Sequence, residues 1–321
     1  MAGICSRWRQ PGLHTAVAAL CAVALTLAAC GGGPETVPAE QASSATTEPV
    51  AAVAALAKHL HEGDLLGFAR TALPPKEYQH LQETWGSEGN FWPLTELPLK
   101  DQWIPLLASL AAPGSEQRLR RSFDAQFLGA SAELRDAART LGLFGVQYLN
   151  HNFEYSEQER EHYVQIMKAA ADWGMHAPLA DPVLAYAAIP RLAAAARAVG
   201  LYSEADFRAA GMEQTLRRVA PFITEIKRVV ADYGLDLDQA YAGIRLQLVD
   251  QHDNTALVRV RYPLAGHTID TVLDLVRIDG HWYLDGYLQR ARAAIEQRPF
   301  GGEVPPILTL PVPEPDPSAG R

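Results

Sequence analysis

Cysteine is nearly missing from this chain: three in 321 residues, at Cys5, Cys21 and Cys30. From residue 31 onward there is none, which excludes thiol nucleophiles, Cys-ligated zinc and disulfides from that region. A membrane-length apolar run is lacking too. The uncharged stretch from Ala16 to Ala29 has 14 residues and as a helix spans about 21 Å, against a hydrocarbon core of roughly 30 Å. Cations are the minority, 28 Lys+Arg against 37 Asp+Glu for a net charge of −9. Nucleic acid is therefore not an expected partner, because phosphate contacts need a dense cationic face. Catalytic signatures are missing as well: no Gly-x-Ser-x-Gly elbow, no Ser-x-x-Lys, no His-Glu-x-x-His and no phosphate-binding glycine loop. No catalytic residue, metal ligand or cofactor is assigned. The enzyme question stays open, since two acids on a cleft leave no signature in sequence.

The N-terminus carries an address. Arg7 and Arg9 precede the apolar stretch with no acid near them, the pattern of a signal peptide over 1–29. It ends in Leu27-Ala28-Ala29-Cys30, followed by Gly31-Gly32-Gly33. This resembles the lipobox of bacterial lipoproteins, and the resemblance implies that Cys30 is diacylated and becomes the new N-terminus. Two acyl chains or more give stable anchoring. Gly31 rather than Asp after the cysteine is similar to lipoproteins sorted to the outer membrane, so the expected location is the outer membrane, periplasm-facing and lipid-anchored. Losing Arg7 and Arg9 would move the charge from −9 to −11. Residues 30–50 have linker composition after the lipidated cysteine, and about twenty such residues reach about 25 Å. Residues 299–321 hold seven prolines and read as a Pro-rich disordered tail.

Between these ends the hydrophobic period changes once. Over 51–235 it is helical. Gly63 is placed to end a first helix, Asp64 to cap the next, and Pro74-Pro75 to stop it. Ser156 and Glu159 form a capping-box pattern, Asp181-Pro182 an N-cap with N1 proline, and Ser203 begins another capped start. Met212, Leu216, Val219, Ile223, Ile226, Val230 and Tyr233 make one apolar seam, in which Pro221 predicts a kink or break. Over 236–298 the period is two, predicting a four-stranded antiparallel meander and a covering helix from about 286 to 297. Turns are expected at Asp253-Asn254, Ala265-Gly266 and Asp279-Gly280. A two-residue loop at Ala265-Gly266 sets Tyr262 opposite Ile269, Arg261 opposite Asp270, Val260 opposite Thr271 and Val258 opposite Leu273. One face is then apolar and the other pairs opposite charges. The fold class expected is α+β, a mostly helical N-terminal region followed by the meander and a C-terminal helix. Helices before a meander ending in Ile278-Asp279-Gly280-His281-Trp282-Tyr283-Leu284 resemble the nuclear transport factor two-like superfamily of cystatin-like α+β rolls. The whole resembles uncharacterised proteobacterial envelope lipoproteins. The superfamily holds enzymes and binding modules alike, so the resemblance implies a fold and not an activity.

Few residues point to a site. Glu77 with His80 and Glu159 with His162 have the Glu-x-x-His spacing of di-metal bundles, but a capping box and a helix first turn explain the glutamates locally. His59 and His61 lie about 200° apart on a helix and read as surface residues. The run Arg118-Leu119-Arg120-Arg121 reads as a solvated face. The most unusual stretch holds Trp85, Phe91, Trp92 and Trp103, broken by Gly86, Gly89, Pro93 and Pro98. These four aromatics are the candidate binding surface. Phe144, Tyr148, Phe153 and Tyr155 are expected to pack a helix. The function expected is a non-catalytic protein-interaction role, an assembly factor or enzyme inhibitor, with the membrane and an envelope protein as partners. The alternatives are a hydrolase of glycan or peptide bonds, or a small-ligand carrier.

Overall fold

The computed structural model describes residues 47–97, 102–152 and 155–296. The expected signal peptide 1–29, the lipidated Cys30, most of the linker and the tail 299–321 lie outside the described residues. The fold is α+β, mostly helical with a four-stranded antiparallel sheet and a C-terminal helix.

Local signals set the helix ends. Helix α1 (Pro49–Glu62) begins inside the expected linker because Pro49 suits a first turn, and Gly63 closes it at φ 70°. Asp64 caps α2 (Leu65–Thr71) by accepting from the Gly67 N–H at 2.8 Å. Next come α3 (Pro75–Glu83) and two single turns, Ser87–Gly89 and Leu94–Glu96. Then follow α4 (Trp103–Ala111), α5 (Ser115–Gln126), α6 (Ser131–Asn150) and α7 (Glu157–His176), the last opened by the Ser156–Glu159 capping box. Asp181 caps α8 (Pro182–Val199) and Ser203 caps α9 (Glu204–Asp232); α10 (Leu237–Ala242) leads into the sheet. The break expected near Pro221 falls elsewhere, since the helix runs on through that proline. Non-helical torsions occur at Gly211, with φ 73° and ψ 168° that only glycine takes without strain. Pro221 is exposed, so the carbonyl it frees faces water, while the buried seam on the opposite side keeps the helix running.

The sheet follows the expected register. Strands β1 (Arg245–His252), β2 (Thr255–Leu264), β3 (His267–Ile278) and β4 (His281–Leu284) pair in sequence order, and α11 (Asp285–Ile295) follows at once. Tyr262 faces Ile269 and Arg261 faces Asp270, as the two-residue turn demands. Ala265 and Asp279 take φ 49° before Gly266 and Gly280, the pair of positive φ values that suits a tight hairpin. Val258, Val260, Tyr262, Ile269, Leu275 and Trp282 are buried against α1 and its neighbours. One hydrophobic core takes in the helical segment and the sheet, so the boundary expected at 235/236 marks a change of period within a shared core.

Two packing details position the site. Strand β4 pairs only with Leu275–Ile278, leaving the first half of β3 without a strand on the side away from β2. Helix α7 fills part of that vacancy. The Gln165 side chain donates to the Asp270 C=O and accepts from the Asp270 N–H, both at 2.9 Å, like one residue of a missing strand. Helix α6 packs on α7 through small residues: a Cβ on Gly142 would lie 2.4 Å from the Ala171 Cβ, and one on Gly145 2.6 Å from the Met167 Cε. We therefore expect Gly142→Ala to cost about 1–3 kcal/mol, because the helix pair must separate. Gly145→Ala is expected to cost clearly less, because the Met167 thioether can swing aside. Urea unfolding of the two variants checks this contrast, and equal losses would contradict it.

Candidate functional site

A cavity of about 380 Å³ opens where the N-terminus of α7, the uncovered part of β3 and the N-terminus of α11 converge. Its floor is apolar, built from Leu60, Leu65, Phe68, Leu94, Leu216 and Leu273. Thr271, Val272, Leu273 and Asp274 all line it. Four successive residues of a strand point to both faces, so the cavity meets β3 on its edge.

The rim is built around Arg290. Its side chain is only 17% exposed; Nε donates to Glu96 at 2.7 Å and Nη1 to Glu159 at 2.7 Å. Burial works against its charge, and Glu96 and Glu159 override it, holding the guanidinium above its ordinary pKa. Glu159 has a second task, since its other oxygen accepts from the Ser156 N–H at 2.9 Å in the α7 capping box. Asp274 and Asp285 complete the rim, with no cation within ion-pair distance among the described residues. Burial, then Asp285 and Glu159, raise the Asp274 carboxyl above its usual range. His162 lies inside, its Nε2 2.9 Å from the Tyr262 hydroxyl. Burial lowers its pKa to about 4, with Glu159 pulling the other way. The imidazole is thus neutral at physiological pH. Burial likewise pushes the Tyr163 and Tyr287 phenols upward, so both stay protonated.

The four aromatics expected to form a binding surface are corrected. Trp85, Phe91, Trp92 and Trp103 are all buried, Trp92 to 2% exposure. Trp85 donates its indole N–H to the Phe207 C=O at 2.8 Å, and Phe91 meets Phe207 edge-on at 5.7 Å. Trp92 packs on Tyr287 at 4.9 Å and Trp103 on Phe222 at 6.3 Å. The glycines and prolines between them fold the segment inward, and the hydrophobic gain of burying such rings exceeds what a surface groove offers. The segment still contributes to the site, since Leu94 and Glu96, between Trp92 and Trp103, line the cavity.

The exposed aromatics lie elsewhere. Phe144 is 67% and Tyr148 66% exposed, and with Leu141 they form a stripe on α6, a helix whose close packing is against α7. The expectation that they pack a helix fails for Phe144 and Tyr148, because Ala138, Gly142 and Leu149 supply that face instead, and holds for Tyr155, whose ring lies 4.9 Å from that of Tyr163 on α7; Phe153 lies outside the described residues. The Glu-x-x-His pairs separate: Glu77 pairs with Arg292 at 2.6 Å, Glu159 with Arg290, and His162 with Tyr262. No group of three His, Cys, Asp or Glu side chains gathers at metal-binding distance among the described residues. In the arginine run, Arg118 donates to the Pro113 C=O and Arg120 lies over the Tyr186 ring. Compared with family models, curated proteins and solved structures, the chain has no match.

Two outcomes follow. Trp92→Ala is expected to cost about 3–5 kcal/mol of stability, whereas Phe144→Ser stays within about 0.5 kcal/mol; chemical denaturation measures both, and a neutral Trp92→Ala would contradict the burial argument. His162 also makes stability depend on pH. Between about 6.5 and about 4 the unfolded chain binds a proton that the folded chain refuses, so its contribution is full above that window and lost as pH falls through it. The loss amounts to roughly 3 kcal/mol. The stability gap between the natural chain and His162→Gln should shift by about that much from pH 7 to pH 4, and a constant gap would contradict it.

Proposed function

We propose that this chain is a non-catalytic binding protein of the bacterial envelope, held to the outer membrane by lipid on Cys30 and facing the periplasm, whose cavity receives an apolar group of its partner. The address rests on the lipobox resemblance at Leu27-Ala28-Ala29-Cys30 and the linker behind it. The role rests on one observation: a cavity of about 380 Å³ with an apolar floor and a rim of four acids around one arginine. That volume falls in the roughly 300–1,000 Å³ range of ligand sites.

The chemistry around the cavity favours holding over turnover. His162 is engaged by Tyr262, and at a pKa of about 4 it is a weak base. The Ser156 hydroxyl accepts from the Glu159 N–H at 3.2 Å and is spent on the cap. Glu96 and Glu159 are locked on Arg290. Asp274, and the Asp285 oxygen that does not accept from the Gln289 amide at 3.2 Å, are left to meet the polar end of a guest. The exposed stripe of Leu141, Phe144 and Tyr148 on α6 supports a second contact surface for a protein partner.

The test is a neutral apolar probe, N-phenyl-1-naphthylamine, titrated into the full chain. Leu273 is half-buried on the cavity wall, so Leu273→Trp fills the space. We expect probe affinity to fall at least tenfold in this variant with the thermal midpoint little changed. Equal binding by both proteins would remove the cavity from the account.

A further inference from the structure

The cavity meets β3 on its edge, and the register says which main-chain groups face it. Alternate residues of an antiparallel strand turn their N–H and C=O to opposite sides. Two observations fix the phase. Arg277 donates its N–H to the Asn254 C=O at 2.8 Å, on the β2 side. Asp270 gives both its groups to Gln165, on the other side. Odd-numbered residues of β3 therefore serve β2, and Val272 and Asp274 aim their main-chain groups into the gap. At one end of the gap Asp270 is taken by Gln165; at the other Val276 is paired with Tyr283 of β4. No partner for the gap-facing groups of Val272 and Asp274 occurs among the described residues.

We propose that this gap is a strand-addition site: it takes an extended peptide segment of about four or five residues, pairing with Val272 and Asp274, with an apolar side chain in the cavity and a cation beside Asp274 and Asp285. The proposal rests on the binding role given above and names its guest. Three features select that guest over a compact small molecule. Between Asp270 and Val276, which already have partners, the open edge carries the main-chain groups of Val272 and Asp274 and runs about 13 Å from Thr271 to Leu275 at 3.3 Å per residue, room for four or five extended residues. Main-chain pairing gives affinity without a fixed sequence, while the floor of Leu60, Leu65, Phe68 and Leu216 selects one apolar side chain. The two aspartates without a cation partner supply charge complementarity to a lysine, an arginine or a free amine.

Amide hydrogen exchange on the full chain in detergent micelles tests this. The probes are acetyl-Ala-X-Leu-Y-Ala-amide pentapeptides with X lysine or arginine and Y any apolar residue. We expect the Val272 and Asp274 amides to exchange at least tenfold more slowly with peptide, while Asp270 and Val276, already bonded, do not change. N-methylation of the pairing amides of the peptide should weaken binding at least tenfold. Val272→Pro should do the same, since it removes a donor that faces away from β2 and spares the ladder. A methylated peptide that binds as tightly as its parent overturns the proposal. Binding of N-phenyl-1-naphthylamine without binding of any peptide overturns it and leaves the cavity reading standing; binding of neither overturns both. Protection of Val272 and Asp274 in the peptide-free chain also overturns it, because a segment of the chain itself, such as 299–321, then holds the edge.

Discussion

The arrangement depends on the buried guanidinium of Arg290. A charge taken out of water costs several kcal/mol unless it is met by opposite charge in good geometry. Glu96 and Glu159 meet it at 2.7 Å each, and they come from a turn and a helix far apart in sequence. Glu159 also closes the capping box of α7, so one carboxylate fixes both where that helix begins and where α11 docks. Arg292 repeats the clasp on Glu77, in a more exposed setting. Helix α11 starts directly where β4 ends, so β4 is confined to four residues and cannot cover the whole of β3. Gln165 covers one residue of the remainder. The cavity is what these constraints leave between them.

The parts of this molecule that sequence reveals are those set by neighbours. The meander was readable because period-two alternation and two-residue turns are local, and they fix Tyr262 opposite Ile269 without reference to anything distant. Caps at Asp64, Ser156, Asp181 and Ser203 were readable for the same reason. The site was not, because it joins Arg290 to Glu96 and Glu159 across 194 and 131 positions, and nothing local marks those carboxylates as partners. Trp85, Phe91, Trp92 and Trp103 misled because a Gly- and Pro-broken segment looks like a surface loop. Only the positions of Phe207, Phe222 and Tyr287 show that it turns inward. Helix α6 presents two candidate faces one residue out of step. Ala171 and Met167 of α7 decide for the small one, which leaves Leu141, Phe144 and Tyr148 outside.

These features join into one functional picture. The described part of the chain supplies a packed frame in which a short stretch of β3, left uncovered by the four-residue β4, lies beside an apolar hollow. An open strand edge is a liability that folded proteins usually cover. Keeping it short, recessed and flanked by acids limits indiscriminate pairing while leaving room for a guest of the right chemistry.

The central claim is that partners engage the β3 edge and its cavity. Its most direct test is photo-crosslinking in the native envelope, with a photo-reactive amino acid replacing Gln289 at the cavity mouth or Tyr148 on α6 in separate strains, and the adducts read by mass spectrometry. The account predicts that Gln289 captures a defined peptide segment of a partner protein. Adducts confined to Tyr148, with none at Gln289, would contradict it.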